Sequence, residues 1–411
     1  MRGSGRFGTG RAAVTAVGVL AALAGASLTG AAPASGAPRA VRIAPGVSYA
    51  QFDILAARGV THAHLLSVDL GNARVRVNLL HPGAVAARAT VSRLADAKGA
   101  VAAVNGDFFN ISEVQHPGVP ATGASVGPAI ASGAVLKAAV PNGQRFGPSM
   151  PPGVTTRAVL GVGIDRRARL DSLTLSGSVA TPVGRFTLGG LNQYALPVDS
   201  IGAFTPAWGG VSRARAVCGT DTDRAAPCGT DTYEVTVRRG RVVRRANSPG
   251  GGAIAADTTV LVGREAGARR LRRLFVGASV TVRSGLVAAT SRVPYRFALG
   301  GYPVLKDGRP LAGLDNGTSA VRTAAGIANG GRKLLLLAVD GEPRYRSGLT
   351  VAEVAATMRK LGSVDAFSLD GGGSTTLVAR APGASVVSVR NHPTGGAERP
   401  VPNAIGVFLT S

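Results

Sequence analysis

Short apolar runs broken by turn residues dominate the chain, and few carry the three-to-four-residue period of a surface helix. Two early runs, HAHLLSVDL over 62–70 and RVRVNLL over 74–80, predict strands with Gly71-Asn72 as the turn between them. Thr90 caps a predicted short helix, TVSRLADAKG, that stops at Gly99. The run VAAV over 101–104 then predicts a strand leading into Asn105-Gly106-Asp107. From about 155 to 290 the pattern becomes many short β-like runs, among them AVLGVGI, RLDSLTL, YEVTVRRG, TTVLVG and ASVTVRSG, without a long amphipathic helix. In the last third, LLLLAV over 334–339 predicts a buried strand ending at Asp340-Gly341. Thr350 and Glu353 form a capping box for the helix VAEVAATMRKL, which Gly362 closes. VDAFSL then leads to Asp370, three glycines, Ser374 and a further strand, TTLVAR. The pattern predicts an α+β fold: a mixed β-sheet catalytic core with few helices and a β-rich insertion. The divisions expected are a signal peptide over 1–37, core segments over 38–150 and 296–411, and the insertion over 151–295.

Composition narrows the function. Of 411 residues, 45% are hydrophobic and 17% charged, which excludes a disordered chain. Aromatics at 4% are too few for the stacking platforms of a single-strand nucleic-acid binder. The net charge of +24 would fit a polyanion partner, but only five cations are Lys and the Arg residues are scattered. Nucleic acid is therefore not the expected partner, while attachment to an anionic wall polymer stays open. Arg2, Arg6 and Arg11 precede an apolar stretch over 12–28 and small residues at Ala32, Ala34 and Ala37, the three parts of a secretory signal. The mature protein is expected to be secreted and free of the membrane. Cys218 and Cys228, an even close pair in an exported chain, are expected to form a disulfide stabilising by about 2–3 kcal/mol. Their loop is expected to lie in the β-rich region, away from the functional carboxylates.

Two familiar signatures match in letters only. Gly123-Ala-Ser125-Val-Gly127 lacks the strand and helix of a nucleophile elbow, and Gly250-Gly-Gly252 follows a polar stretch with no helix after it. The informative pattern is three apolar strands that each end in a carboxylate beside glycine, at Asp107, Asp340 and Asp370. Strand ends gathered at one sheet edge are where pockets form. Paired carboxylates across a pocket suit glycosidic cleavage. Gly371, Gly372 and Gly373 would let backbone N–H groups approach an anion, with hydroxyl help from Ser374. Arg322, followed by Thr323, can grip a phosphate bidentately.

VNGDFF, VRTAAGIANGGRKLLLLAVDG, LTVAEVAATMRKLGSVDAFSLDGGGSTTLV and NHPTGGAERPVPNAIGVF, in this order, resemble the phosphodiester glycosidase family over about 98–140 and 296–409. The resemblance implies a hydrolase cutting the sugar C1–O bond of a sugar-1-phosphodiester, with a sugar phosphate or wall polysaccharide as partner. It implicates Asp107, Asp340, Asp370 and Glu398 in catalysis, and Asn105, Arg322, Thr323 and Gly371 to Ser374 in substrate binding. Tyr302 in GGYP stands where a small residue is expected. No cofactor is required by the sequence; the carboxylates suit Ca²⁺ or Mg²⁺, though their spacing demands neither. A non-catalytic wall-polysaccharide binder and a metal-dependent phosphodiesterase remain the alternatives.

Overall fold

The structure is a computed structural model that describes residues 40–345 and 348–410. The expected signal segment, 1–37, lies outside the described residues. Among those residues, no helix is long and apolar enough to cross a membrane.

Two antiparallel sheets form the core. The larger runs in the order Val41–Ala44, Val47–Ala56, Gly59–Asp69, Lys333–Val339, Thr323–Ala328, Asp365–Leu369, Tyr302–Lys306, Arg309–Pro310. The smaller runs Val387–Val389, Leu377–Arg380, Ala102–Asn105, Ala404–Leu409, Val75–Leu80. Leu334, Leu336, Phe367 and Leu369 of the larger sheet pack onto Leu377, Ala379, Ile405 and Val407 of the smaller. The opposite face, with Leu335, Leu337 and Val339, packs onto Val354 and Met358 of the helix Val351–Lys360. Both faces of the strand Lys333–Val339 are thus covered, which is why LLLLAV is apolar at every position. Each fully buried Leu contributes about 1.5–3 kcal/mol. The fold is α+β, with three α-helices among the described residues.

Local signals placed the helix ends well. Thr90 accepts from Arg93 N, and Gly99 closes the helix Val91–Lys98 with φ +70°. The Thr350–Glu353 capping box is complete, and Gly362 follows the helix Val351–Lys360 at φ +91°. Long-range pairing departs from the sequence expectation in two places. Gly59–Asp69 and Val75–Leu80 do not form a hairpin: the first pairs with Lys333–Val339 and the second with Ala404–Leu409, in different sheets. The turn at Asn72 therefore carries the chain between layers. Within the strand–helix–strand unit, Lys333–Val339 and Asp365–Leu369 are not neighbours, because Thr323–Ala328 lies antiparallel between them.

The middle region does not stand apart. Ala158–Gly163 pairs with Tyr295–Gly300, which also pairs with Ala129–Ala131, so one seven-stranded sheet spans both ends of the segment 151–295. A second sheet, Gly190–Leu191, Ile201–Phe204, Thr258–Arg264, Thr232–Arg238, Arg241–Ala246, holds the one parallel pairing among the described strands. Cys218 and Cys228 are bonded. Their loop, expected far from the carboxylates, instead braces the segment that approaches them. Arg224 donates to the Arg145 carbonyl at 2.7 Å and lies 4.1 Å from the Phe146 ring, and Gln144 Nε2 donates to the carbonyls of Thr220 and Asp223.

Candidate active site

Two strand ends, one from each core sheet, meet at Asp370. Its N–H donates to the Gly106 carbonyl at 2.9 Å, and its own carbonyl accepts from Asn105 Nδ2 at 2.7 Å. Asn105 Oδ1 accepts in turn from Thr323 Oγ1 at 3.0 Å and Thr376 N at 3.1 Å. Asn105 and Thr323 are fully buried, so they hold the seam between the sheets rather than line an opening. Asn403 completes the frame: its side chain accepts from Asp107 N at 2.9 Å and its carbonyl from Gly106 N at 3.0 Å. A side chain at Gly106 would collide with Asn403.

Asp370 opens on a cleft of about 650 Å³ with Arg322, Asp315, Thr318, Ser149 and Phe108. Arg322 is anchored by N–H donation to the carbonyls of Leu349 and Thr318, each at 2.9 Å. Burial pushes the Asp370 carboxyl up to about 7, and the nearby Asp107 charge adds to that, against Ser374, Arg399 and the Gly371 N–H. Asp370 therefore exchanges its proton near neutrality.

Asp107 sits behind the cleft, 2% exposed. Burial raises its pKa more than Lys137, the Gly127 N–H and Arg145 lower it. One oxygen accepts from Gly127 N at 2.7 Å; the other, Oδ1, is buried without a hydrogen-bond partner. Lys137 is buried too, and burial lowers its pKa. Its Nζ donates to the carbonyls of Val126 at 3.1 Å, Gly127, and Ala138 at 2.7 Å, three acceptors that match the three protons of an ammonium. Arg145 lies 5.0 Å from the Phe108 ring and 5.5 Å from that of Tyr302. Tyr302 is fully buried against Phe108, and its hydroxyl also lacks a partner.

The glycine run serves the turn itself. Gly372 takes φ +57°, a side chain at Gly371 would meet the Val321 carbonyl, and one at Gly373 would meet the Arg399 guanidinium. The Gly372 N–H already donates to Val321 O at 2.8 Å, and Ser374 N to Gly371 O at 3.1 Å. Those two N–H groups are taken, while Gly371 and Gly372 themselves line the cleft beside Asp370. Ser374 is buried, its hydroxyl facing Arg399 at 3.4 Å.

Asp340 and Glu398 do not line this cleft. The strand period of two explains Asp340. Leu337 and Val339 face the helix side, so Asp340 turns to the opposite face. Leu369 faces the smaller sheet, so Asp370 turns to the helix side. Asp340 is fully buried and accepts from His64 Nε2 at 2.9 Å and His392 N at 2.6 Å. Burial works against its ionisation, but the hydrogen bonds from His64 and His392 hold its pKa below the usual value. Glu398 Oε2 accepts from Ser92 N at 3.0 Å, a carboxylate at the N-terminus of the helix Val91–Lys98. The reading of strand ends reached Asp107 and Asp370 but missed Lys137, Arg145, Arg399 and Asn403. Arg399 lies within the ERPV segment and Asn403 two positions after it, which was the available signal. Lys137, in AVLKAAV, reads as an ordinary strand-end cation. Groups of three or more side chains able to ligate a metal occur, among the described residues, at His62, His64 and Asp340 and at His116 beside the disulfide, neither at the cleft.

Two solved structures share this architecture, and a third aligns more weakly. A hypothetical protein from Synechocystis aligns with a TM-score of 0.68 at 20% identity, over 91% of this chain and 64% of its own length. A Burkholderia pseudomallei K96243 protein described as a candidate exported protein aligns with a TM-score of 0.62 at 21% identity, over 85% of this chain and 74% of its own. The zebrafish N-acetylglucosamine-1-phosphodiester alpha-N-acetylglucosaminidase catalytic domain, auto-inhibited by its pro-peptide, gives a TM-score of 0.45 at 15% identity, over 90% and 87% of the two chains. No curated protein sequence matches the chain. The first two structures define the class, a β-sheet fold shared with a bacterial exported-protein candidate. Residues 231–408 of the chain match the phosphodiester glycosidase family. That match contains Arg322, Asp370, Arg399 and Asn403.

Proposed function

We propose that the cleft hydrolyses the C1–O bond of a sugar-1-phosphodiester, releasing free sugar and a phosphomonoester. The observation that carries this is a carboxyl poised near neutrality, Asp370, sharing one cleft with a guanidinium, Arg322, within a phosphodiester glycosidase match. Arg322 holds the phosphate, on which negative charge grows as the C1–O bond breaks. A phosphodiester oxygen is a weak base and leaves with little need of a proton. Asp370 is therefore assigned as the general base: it takes a proton from water as the water oxygen bonds to C1. Asp107, Lys137 and Arg145 set the field behind it. Export supplies the setting: the N-terminal pattern and the disulfide both favour a secreted enzyme meeting sugar phosphates or wall polymers outside the cell.

The test is to incubate the pure protein with a nucleotide-diphosphate sugar and with a simple alkyl sugar-1-phosphodiester, then separate the products. Free sugar in stoichiometry with phosphomonoester supports the assignment. Sugar phosphate would mean P–O cleavage, and no turnover with retained binding would mean a polysaccharide-binding protein; either result overturns it.

A further inference from the structure

On the far face of the larger sheet, three neighbouring strands turn a second set of polar side chains to one side. His62 and His64, two apart on Gly59–Asp69, share that face. Asp53 pairs opposite His62 and Gln51 opposite His64. From the other neighbour, Ala338 pairs with His64, and the Asp340 N–H donates to His62 O at 3.0 Å. Asp340 Oδ1 lies 2.9 Å from His64 Nε2, and Oδ2 lies 2.9 Å from Nδ1 of His392, which arrives on a loop. One potential ligand atom from each of His62, His64 and Asp340 falls within 4.8 Å of the others.

A second observation separates this cluster from a chance meeting of polar groups. Each strand histidine has its other ring nitrogen already held: His62 Nδ1 by Asp53 at 2.6 Å, His64 Nδ1 by the Tyr49 hydroxyl at 2.7 Å. Metal-binding imidazoles are oriented in this way, with a carboxylate or hydroxyl on the far nitrogen and the near one left for the ion. The Tyr49 hydroxyl also reaches Gln51 Oε1 at 3.3 Å. His64 can therefore move its proton to Nδ1 and donate to Tyr49 while Tyr49 donates to Gln51, freeing Nε2. The cluster is reachable, since the His62 and His392 side chains are 27% and 42% exposed while His64 and Asp340 form its floor.

We propose that His62, His64 and Asp340 bind one divalent transition-metal ion of the zinc type, His392 closing on it from its loop as fourth ligand, in a site separate from the cleft. Three imidazoles and one carboxylate are a donor set for tetrahedral zinc and are too rich in nitrogen for Ca²⁺ or Mg²⁺. The ion would pin the His392 loop to the sheet. That loop runs on to Arg399, whose charge acts on Asp370, so the site would be structural support for the cleft and take no part in its chemistry.

The test uses tag-free protein stripped with chelator, dialysed, and titrated with Co²⁺ and then Zn²⁺. Expected are uptake of about one equivalent, visible Co²⁺ absorption of tetrahedral intensity, its loss on adding Zn²⁺, and a higher unfolding temperature in Zn²⁺. His62→Ala and His392→Gln, both at partly exposed positions, should each weaken uptake at least tenfold while leaving the far-UV circular dichroism unchanged. No stoichiometric uptake by the parent, or uptake that both variants retain, overturns the site. Hydrolysis of a sugar phosphodiester is read separately, so failure here leaves the cleft assignment untouched.

Discussion

Replacing Asp370 by Asn separates the two consequences of its burial. A carboxyl with a folded value of about 7, against an ordinary 3.8, is harder to ionise in the folded protein than in the unfolded chain. The sign follows: the parent loses stability as pH rises from about 4 to about 7, and the loss levels off above that. The full difference corresponds to ~4 kcal/mol. Solvent in the open cleft screens part of it, which leaves about 2 kcal/mol. Asn carries no charge at any pH. Asp370→Asn should therefore be more stable than the parent at pH 8 by about 2 kcal/mol and nearly equal to it at pH 4. Urea unfolding of both proteins across this range reads the gap directly. The same substitution removes the base and should lower kcat by about 10²–10⁴-fold. A gap that does not change with pH, or a variant less stable than the parent at pH 8, would refute the account of burial. A folded variant within a few-fold of the parent rate would refute the catalytic role.

Three further outcomes follow from the surrounding residues. Arg322→Lys keeps one positive charge but loses the planar fork, so KM for a phosphodiester should rise about tenfold or more in steady-state assays, with kcat falling less. Lys137→Met leaves three buried carbonyls without their donor and should cost about 3 kcal/mol or more in urea unfolding; stability within ~0.5 kcal/mol of the parent would count against the buried ammonium. Cys228→Ser should cost about 2–3 kcal/mol in stability and, because Arg224 of that loop holds the Arg145 backbone, should also lower kcat several-fold; unchanged kcat would mean that the brace does not reach the site.

The elements of this fold were legible where local chemistry decides. Thr90, Gly99, Thr350, Glu353 and Gly362 each satisfy helix-terminal groups within four residues of themselves, and each stands where the sequence placed it. The partners of strands were less legible. Gly71-Asn72 looks like a hairpin turn, but strands as apolar as 62–70 can pair on either side, and nothing local tells which sheet receives them. The same limit divided the carboxylates. Asp340 and Asp370 both end apolar strands beside glycine, yet a strand buried on both faces carries no alternation to show which way the next side chain turns. Lys137 was illegible for a third reason: its acceptors are backbone carbonyls, which every sequence offers equally. The glycines after Asp370 were read as a phosphate cradle because three in a row permit one. Their need comes from Val321 and Arg399, residues fifty-one positions before and twenty-seven after the middle of the turn.

The seam at Asn105 also fixes when the cleft can form. One buried amide joins the end of an early strand to the Asp370 carbonyl, 265 positions along the chain, and Asn403, 296 positions beyond Asp107, secures that carboxylate's backbone. Neither sheet alone contains a finished site, and the closing contacts span nearly the whole chain. Loops of that length close late in folding. A chain emerging from its N-terminus thus has no finished cleft until Asn403 and the strand Ala404–Leu409 have joined it. Completion of the cleft and completion of the fold are one event.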